Sequence, residues 1–444
     1  MSTTRRTFLK GAASAIAGAP LILPSHMHAA DTKANSRLGL GYIGAGRLSR
    51  HLLPVFLYED VQFQGVCDVD TTRRLHAQKR VNDFYKANPA KGTPGCKAYK
   101  DFRELLANKD VDVVVIAVPD HWHAHITMTA IKAGKDIYCE KPLTHDIHEA
   151  IIVMKAVAEN KRILQTGSMQ RSRKEFRIAC ELIRNGAIGK LQRIECSFGG
   201  PPVACDLPAE KLEPGLDWDM WLGPAPKRPY NSILSPRGLC DHFPKWRNYR
   251  EYGGGQVTDW GAHQLDIAQW GLDMDHSGPV EARPPEDRDA KRGAMLIYAN
   301  GITITHTDGF GVDFFGTEGR IQVNRGAFTF SRSGKMIAKH ASRKDKLSCG
   351  AAVQLAEREY LKDAKVKLYK STSHYENFIT SVKSRSKPIC CEQVGGRSAI
   401  CCHLMNLTYQ HGQTIKWDPA KLAFAEGTGD PKWLKASHRQ PWSV

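Results

Sequence analysis

Short apolar runs alternate with amphipathic, helix-like stretches between residues 38 and 166. The runs are LGLGYIGAG (38–46), VQFQGVCDVD, DVVVIAVP (112–119), DIYCEKP and RILQTGS. Apolar residues at nearly every position are typical of strands that are buried on both faces of a parallel sheet. Strands that alternate with helices in this way predict a doubly wound α/β domain, which binds its ligand at the carboxyl ends of the strands.

The pattern changes to period-two alternation in the second half of the chain, from KLQRIECSFGG onward. The stretch GAMLIYANGITITHTDGF predicts a hairpin that turns at residues 299–301. The stretch VDFFGTEGRIQVNRGAFTFS predicts another hairpin, with its turn at residues 317–319. We therefore predict an α+β domain with a largely antiparallel sheet, one face of which covers the cofactor or a partner subunit.

The first strand ends in a glycine-rich turn that contains Gly41, Gly44 and Gly46. Glycines at a strand-to-helix turn let backbone N–H groups approach a pyrophosphate at the helix N-terminus. Ser49 occupies the third position of G-x-G-x-x-G, so the match to that motif is loose. We predict a dinucleotide site here.

Asp68 ends the second strand, where an acid accepts hydrogen bonds from the ribose hydroxyls of NAD and repels the 2′-phosphate of NADP. The alternative is that Asp68 only caps the helix TTRRLHAQKR. The nearby Arg73 and Arg74 leave NADP open, but NAD is the expected cofactor.

Two further motifs follow strands of the predicted sheet. PDHWHAH contains His121, His123 and His125, whose spacing straddles a strand end and a helix start. We expect the three rings to diverge and not to form a metal site. CEKP places Lys141 directly before Pro142, and a cis bond there would aim the lysine toward the ligand.

The stretch GGGQVTDWGAHQLD (253–266) brings a carboxylate and an imidazole together. Asp259, His263, Asp266 and Trp270 have the spacing of one helical stripe. A histidine that titrates near neutral pH can take the hydroxyl proton when a secondary alcohol is oxidised. The carboxylate can orient the ring, and a lysine can stabilise the alkoxide. The alternative is a helix-terminal acid beside a structural histidine.

Composition excludes several classes of function. The formal net charge is +17, but Lys and Arg are scattered, so no nucleic-acid partner is expected. No apolar run is long enough to span a bilayer.

The first thirty residues, with Arg5 and Arg6 before Phe8 and Leu9, resemble a twin-arginine export signal and predict a periplasmic or exported protein. The twelve cysteines are expected to be mostly buried free thiols.

Five motifs in this order are similar to those of the Gfo/Idh/MocA family, which includes glucose–fructose oxidoreductase and inositol dehydrogenase. They are the glycine turn, EKP (140–142), DWDMWLGPAP (217–226), GGGQVTDWGAHQLD and GTEGRIQVNRG (316–326). After the signal (1–30), the resemblance implies a Rossmann domain (36–166) and a substrate domain (167–415), with a tail (416–444). It also implies a homo-oligomer assembled through the second sheet.

The resemblance implies NAD(P) in the first domain and a sugar or polyol beside it, with Lys141, Asp259 and His263 as catalytic residues. The expected cofactor-binding residues are Gly41, Ile43, Gly44, Ala45, Gly46, Asp68, Pro119, His121, Trp122, His123, Glu140, Lys141 and Gln170. The expected substrate-binding residues are Arg171, Trp246, Arg247, Asp259 and His263. No metal is expected.

These features predict an NAD-dependent oxidoreductase that acts on a secondary CH–OH of a sugar or cyclic polyol. Free NAD is not expected outside the cytoplasm, so an exported enzyme is expected to hold its cofactor tightly and to recycle it. One alternative is an NAD-dependent glycoside hydrolase that works through a transient 3-keto intermediate. Others are a two-sugar oxidoreductase, an ordinary dehydrogenase, and a non-catalytic sugar- or cofactor-binding protein, which would not need Lys141 with His263.

Overall fold

A computed structural model describes residues 37–442, and the predicted export signal lies outside the described residues. Six parallel strands form the first sheet: β1 (Leu38–Ile43), β2 (Val61–Cys67), β3 (Lys97–Tyr99), β4 (Val113–Ile116), β5 (Asp136–Cys139) and β6 (Leu164–Thr166). Their order is β3-β2-β1-β4-β5-β6. The order reverses between β1 and β4, which confirms the predicted doubly wound sheet and creates a crevice at the carboxyl ends of those strands.

The apolar composition of these strands follows from burial on both sides. Five helices follow the first five strands: α1 (Ser49–Tyr58), α2 (Thr71–Ala87), α3 (Phe102–Leu106), α4 (His123–Lys132) and α5 (Ile147–Glu159). In β4, Val113 and Val115 pack in one cluster with α1 and α2. Val114 and Ile116 pack in another cluster with α4 and α5. Because successive side chains point to opposite faces, a strand covered on both faces needs an apolar residue at every position.

The second sheet has ten strands. They are β7 (Leu191–Ser197), β8 (Glu281–Arg283), β9 (Met295–Ile297), β10 (Thr303–Thr307), β11 (Val312–Gly316), β12 (Gly319–Asn324), β13 (Ala327–Arg332), β14 (Lys335–His340), β15 (Ile415–Asp418) and β16 (Ala423–Phe424). Their order is β14-β13-β12-β11-β7-β10-β9-β8-β15-β16. Only β7 and β10 pair in parallel. The β9–β10 and β11–β12 hairpins confirm both predicted turns.

The remaining helices are α6 (Lys174–Arg184), α7 (Trp218–Leu222), α8 (Gly255–Asp259), α9 (Gly261–Leu272), α10 (Cys349–Tyr360), α11 (His374–Ser384) and α12 (Glu392–His411). Helices α6, α9, α10 and α12 share the largest apolar cluster with the second sheet. Helix α11 instead packs against the first sheet through Phe378, Ile379 and Val382. All twelve cysteines are free thiols and most are buried, as predicted.

The chain returns to the first sheet after β16. The amide of Ala436 donates to Asp146 at the start of α5 (2.8 Å). Trp442 is 8% exposed and packs edge-on against Trp122, with 5.0 Å between ring centroids. In the part of the chain that the structure describes, no helix has the length and apolar character needed to cross a membrane.

Candidate active site

The glycine turn after β1 has the geometry of a dinucleotide cradle. Gly44 has a φ of +95°, and a Cβ there would lie 2.4 Å from the carbonyl oxygen of Ala117, so only glycine fits. Gly46 faces open space, with no neighbour within 4 Å of a Cβ. Gly41 was predicted to bind the cofactor, but it lies inside β1 and faces the side chain of Leu105, so its role is packing.

A narrow pocket of about 110 Å³ opens beside this turn. Its lining includes Ile43, Gly44, Gly46, Asp68, Pro119 and Trp122 from the predicted cofactor-binding set. The Asp68 carboxylate accepts hydrogen bonds from the amides of Ala45 (2.7 Å) and Asp70 (2.8 Å). Burial raises the pKa of Asp68, and the charge of Arg73 and these two amides oppose the rise. The turn, the open space and the acid fit an NAD molecule.

Arg73 and Arg74, the two arginines that could have bound the 2′-phosphate of NADP, form hydrogen bonds with other residues of the protein. Arg73 donates to Ser235 Oγ (3.2 Å) and to the carbonyls of Gly238 (3.2 Å) and Pro236. Arg74 donates to the carbonyl of Asp68 (2.6 Å) and to Thr71 Oγ1 (3.2 Å). Both guanidinium groups are thus engaged by other parts of the protein in this conformation.

Residues 231–247, which we call the strap, close over the same pocket. Leu234, Ser235, Pro244 and Trp246 line it. Arg73 holds one end of the strap through the contacts just given. Arg47, next to the glycine turn, donates to the carbonyl of Asp241 (2.7 Å) and holds the middle.

A larger cavity of about 580 Å³ adjoins the narrow pocket, and the two share Leu48, Val118, Pro244, Trp246 and Arg247 in their linings. Lys141, Asp259 and His263 all line this larger cavity. The Lys141–Pro142 peptide bond is cis. Lys141 Nζ donates to Asp259 Oδ1 (2.5 Å) and to the Asp259 carbonyl (2.7 Å). The structure therefore brings together all three residues that were predicted to be catalytic.

Asp259 is ionised because of its neighbours. Burial by itself raises the pKa of this carboxyl, but the charges of Lys141 and Arg247 outweigh burial and hold the pKa below its ordinary value. Arg247 Nε lies 3.6 Å from the same carboxylate oxygen that Lys141 contacts. One carboxylate is thus shared by two cations.

His263 is a buried, neutral imidazole. His263 is only 5% exposed, and its Nδ1 has no hydrogen-bond partner among residues 37–442. Burial, with the charge of Lys141, lowers the pKa of His263 well below its ordinary value. No hydrogen bond in the described chain joins Asp259 to this ring. Asp259 therefore does not orient the imidazole as predicted, and it binds Lys141 instead.

The predicted helical stripe is divided. Helix α8 ends at Asp259, and α9 begins at Gly261. Asp266 and Trp270 lie away from the cavity beside Arg171, which pairs with Asp266 (2.8 Å) and stacks over Trp270 (5.0 Å).

Arg171 was predicted to bind substrate, but the structure buries it. It is 2% exposed and also pairs with Asp275 (2.7 Å), so both its charge and its donors are satisfied away from the cavity. Gln170 lies behind the cavity, where it accepts from Arg325 Nε (3.0 Å) and donates to the carbonyl of His263 (3.2 Å). Arg171 and Gln170 therefore contact the residues around the cavity and do not line it.

The remaining predicted residues have structural partners. The His121 ring faces the carbonyls of Trp221 (3.1 Å) and Tyr252 (3.4 Å). The His123 ring faces the carbonyls of Pro142 (2.6 Å) and Val118 (3.0 Å), which fixes the loop that carries Lys141. Burial lowers the pKa of each ring to about 4. His125 packs against Trp122 and Trp442, so the three rings diverge as predicted.

Glu140 faces the larger cavity beside Lys141. It accepts from the Tyr138 hydroxyl (3.3 Å) and from the Lys141 amide (3.3 Å), and burial raises its pKa. Sequence reasoning missed Arg325, Trp260 and Tyr375, which also line the cavity. Trp260 lies in the motif GGGQVTDWGAHQLD and Arg325 in GTEGRIQVNRG. The sequence pattern did not indicate that either residue reaches the cavity.

Comparisons with known proteins agree with this architecture. A family model described as an oxidoreductase family with an NAD-binding Rossmann fold matches residues 38–168. A second model, the C-terminal alpha/beta domain of an oxidoreductase family, matches residues 203–444.

The curated relatives match over part of their length. Inositol 2-dehydrogenase of Rhodococcus jostii is 35% identical over 127 residues, which are 28% of this chain and 35% of the relative. That of Pseudarthrobacter chlorophenolicus is 31% identical over 179 residues, 39% of this chain and 48% of the relative. The chain therefore spans less than half of the length of these relatives.

Solved structures share the fold over most of the chain. Levoglucosan dehydrogenase in complex with NADH and levoglucosan has a TM-score of 0.54 at 17% identity, covering 86% of this chain and 99% of its own. The aldose-aldose oxidoreductase of Caulobacter crescentus, complexed with glycerol, has a TM-score of 0.55 at 17% identity, covering 86% and 100%.

Proposed function

Since the chain belongs to the Gfo/Idh/MocA oxidoreductase family, we propose that it is an NAD-dependent enzyme that oxidises a secondary CH–OH of a sugar or cyclic polyol. The observation that carries the proposal is the convergence of Lys141, Asp259 and His263 on one cavity beside the nucleotide pocket. The two curated relatives described above are inositol 2-dehydrogenases, which supports a polyol or sugar as substrate.

Each residue has a distinct task in this reaction. The glycine turn and Asp68 would hold NAD, which when bound would supply the acceptor for the hydride that leaves the substrate carbon. His263, which is neutral, accepts the proton from the substrate hydroxyl. The Lys141 ammonium stabilises the negative charge that develops on that oxygen. Asp259 holds Lys141 in place through two hydrogen bonds, and the products are a ketone, reduced cofactor and one proton.

We further propose that the cofactor is held tightly and recycled within the site. The strap supports this, because it lines the nucleotide pocket and is held by Arg73 and Arg47. Export by the twin-arginine route is proposed from residues 1–30 alone, and assembly of a homo-oligomer through the second sheet from the family resemblance.

Incubation of the mature chain with a panel of sugars and cyclic polyols tests the proposed function. We expect formation of a ketone from one class, with absorbance of reduced nicotinamide under single-turnover conditions. Lys141→Ala is expected to lower that rate by roughly 10²–10⁴, and Lys339→Ala, on the far sheet, is the control. Absence of any ketone across the panel, with NAD shown to be bound, would contradict an oxidoreductase and favour a binding protein.

A further inference from the structure

The larger cavity carries more positive than negative charge near its catalytic residues. Lys141 and Arg247 share the single carboxylate of Asp259. Arg325 and Lys245 also line the cavity. Among residues 37–442 neither of these two has a carboxylate within 4.0 Å.

The other acids of the cavity do not restore the balance. Burial raises the pKa of Glu140 and raises that of Asp120 well above its ordinary value. Both carboxyls are thereby biased toward the neutral form. Bound NAD in its oxidised form adds a positive nicotinamide, so an anion is the ligand that the cavity charge favours.

Arg325 differs from the exposed Lys245 because part of its guanidinium is buried. It lies in the turn between β12 and β13, and its Nε donates to Gln170 (3.0 Å). Its Nη2 is buried and has no hydrogen-bond partner within the described chain. A buried guanidinium edge without an acceptor is costly, and a ligand oxygen would remove that cost. Arg325 is outside the lining of the nucleotide pocket, so the pyrophosphate is not its expected partner.

Trp260 adds an apolar surface next to this guanidinium. Its side chain is 41% exposed, and the Arg325 guanidinium lies 4.7 Å from the centre of its ring. Aromatic faces pack against apolar bodies, and an arginine presents a planar donor edge that matches a carboxylate. Trp260 and Arg325 therefore offer one surface for a ring and one for an acid group.

We propose that the substrate of this site is a sugar acid, whose carboxylate binds Arg325 while its ring packs on Trp260. This inference rests on the proposed function and narrows it to a substrate class. A carboxylate is a planar acceptor, and it matches the planar guanidinium edge of Arg325, whose Nη2 lacks a partner within the described chain.

Matched sugar pairs test the proposal without turnover. The mature protein is loaded with NADH, which cannot accept a hydride, and is titrated by calorimetry with glucuronate against glucose and with galacturonate against galactose. We expect at least one acid to bind roughly 10- to 100-fold more tightly than its neutral partner, the range for a charge-assisted hydrogen bond. Arg325→Gln should remove this preference, whereas Arg325→Lys should retain part of it.

Arg332→Gln is the matched control, because Arg332 lies on the neighbouring strand and pairs with Glu318 outside the cavity. Equal loss of preference in Arg325→Gln and Arg332→Gln would overturn the assignment to Arg325. Equal or tighter binding of the neutral sugars would overturn the sugar-acid inference and leave the proposed oxidoreductase intact. If neither these sugars nor cyclic polyols bind, the proposed function fails together with the inference.

Discussion

At the scale of single residues, two side chains make the cavity competent for proton transfer. His263 is neutral because it is buried near cations, and Lys141 is held in position by its hydrogen bond to Asp259. A neutral base and a positioned lysine are both present before substrate arrives. The site is therefore prepared for an alcohol that loses its proton to His263 and leaves its oxygen facing Lys141.

This arrangement predicts the pH dependence of kcat/KM. Because the pKa of His263 lies well below 6.5, the ring remains a proton acceptor as the pH falls through 6.5, and the acid limb should appear only below that pH. His263→Ala should lower turnover by roughly 10²–10⁴ and abolish that limb without changing NAD affinity. Steady-state kinetics across pH check this, with the exposed His276→Ala as control. An acid limb at or above pH 6.5 would refute the prediction.

Asp68 sets the choice of cofactor at the same scale. The protein should bind NAD more tightly than NADP by at least about 1 kcal/mol, because the carboxylate repels a 2′-phosphate and Arg73 and Arg74 are occupied. Asp68→Ser should weaken NAD binding and reduce the preference, and calorimetry with both nucleotides measures it. The exposed Asp110→Ser should change neither affinity. Equal or tighter binding of NADP by the unmodified protein would show that the prediction is wrong.

At the scale of elements, the strap lines the nucleotide pocket and is expected to slow the release of NAD. Arg73→Ala removes three hydrogen bonds to residues 235–238, so we expect NAD to dissociate roughly ten-fold faster, as a loss of about 1.4 kcal/mol implies. Stopped-flow displacement by excess nucleotide measures the rate. Lys79→Ala, on the same helix but paired with Asp83 at the surface, should release NAD at the original rate. Unchanged release from Arg73→Ala would argue against the strap.

Hydrophobic pattern predicted the elements better than their junctions. Strand β4 and the β9–β10 hairpin were predictable because each leaves a local pattern, a continuous apolar run or an alternation around a glycine turn. The break between α8 and α9 at Trp260 was not, because the stripe of Asp259 and His263 fits one helix equally well. Arg325 was missed for a related reason: no local pattern tells which hairpin turn reaches the cavity formed by distant residues.

At the scale of the whole molecule, the proposed recycling of the cofactor predicts which products form. If NAD is recycled in place, purified protein should turn over many times without added nucleotide and release little NADH. Product analysis with glycosides and free sugars checks this. Aglycone release, with solvent deuterium entering beside the oxidised carbon, would indicate the glycosidase alternative, and paired lactone and polyol would indicate two-sugar exchange. Stoichiometric consumption of added NAD would contradict recycling and favour an ordinary dehydrogenase.

The position of Trp442 in the chain affects when the nucleotide pocket is completed during synthesis. It packs against Trp122, whose ring lines the nucleotide pocket. The wall of that pocket is therefore supported by segments almost 400 residues apart in the chain, from the turn at Gly44 to Trp442. The second of these segments is synthesised long after the first, so the fully supported pocket forms only after residue 442 has emerged from the ribosome. Cofactor loading into the fully supported pocket therefore follows the synthesis of residue 442.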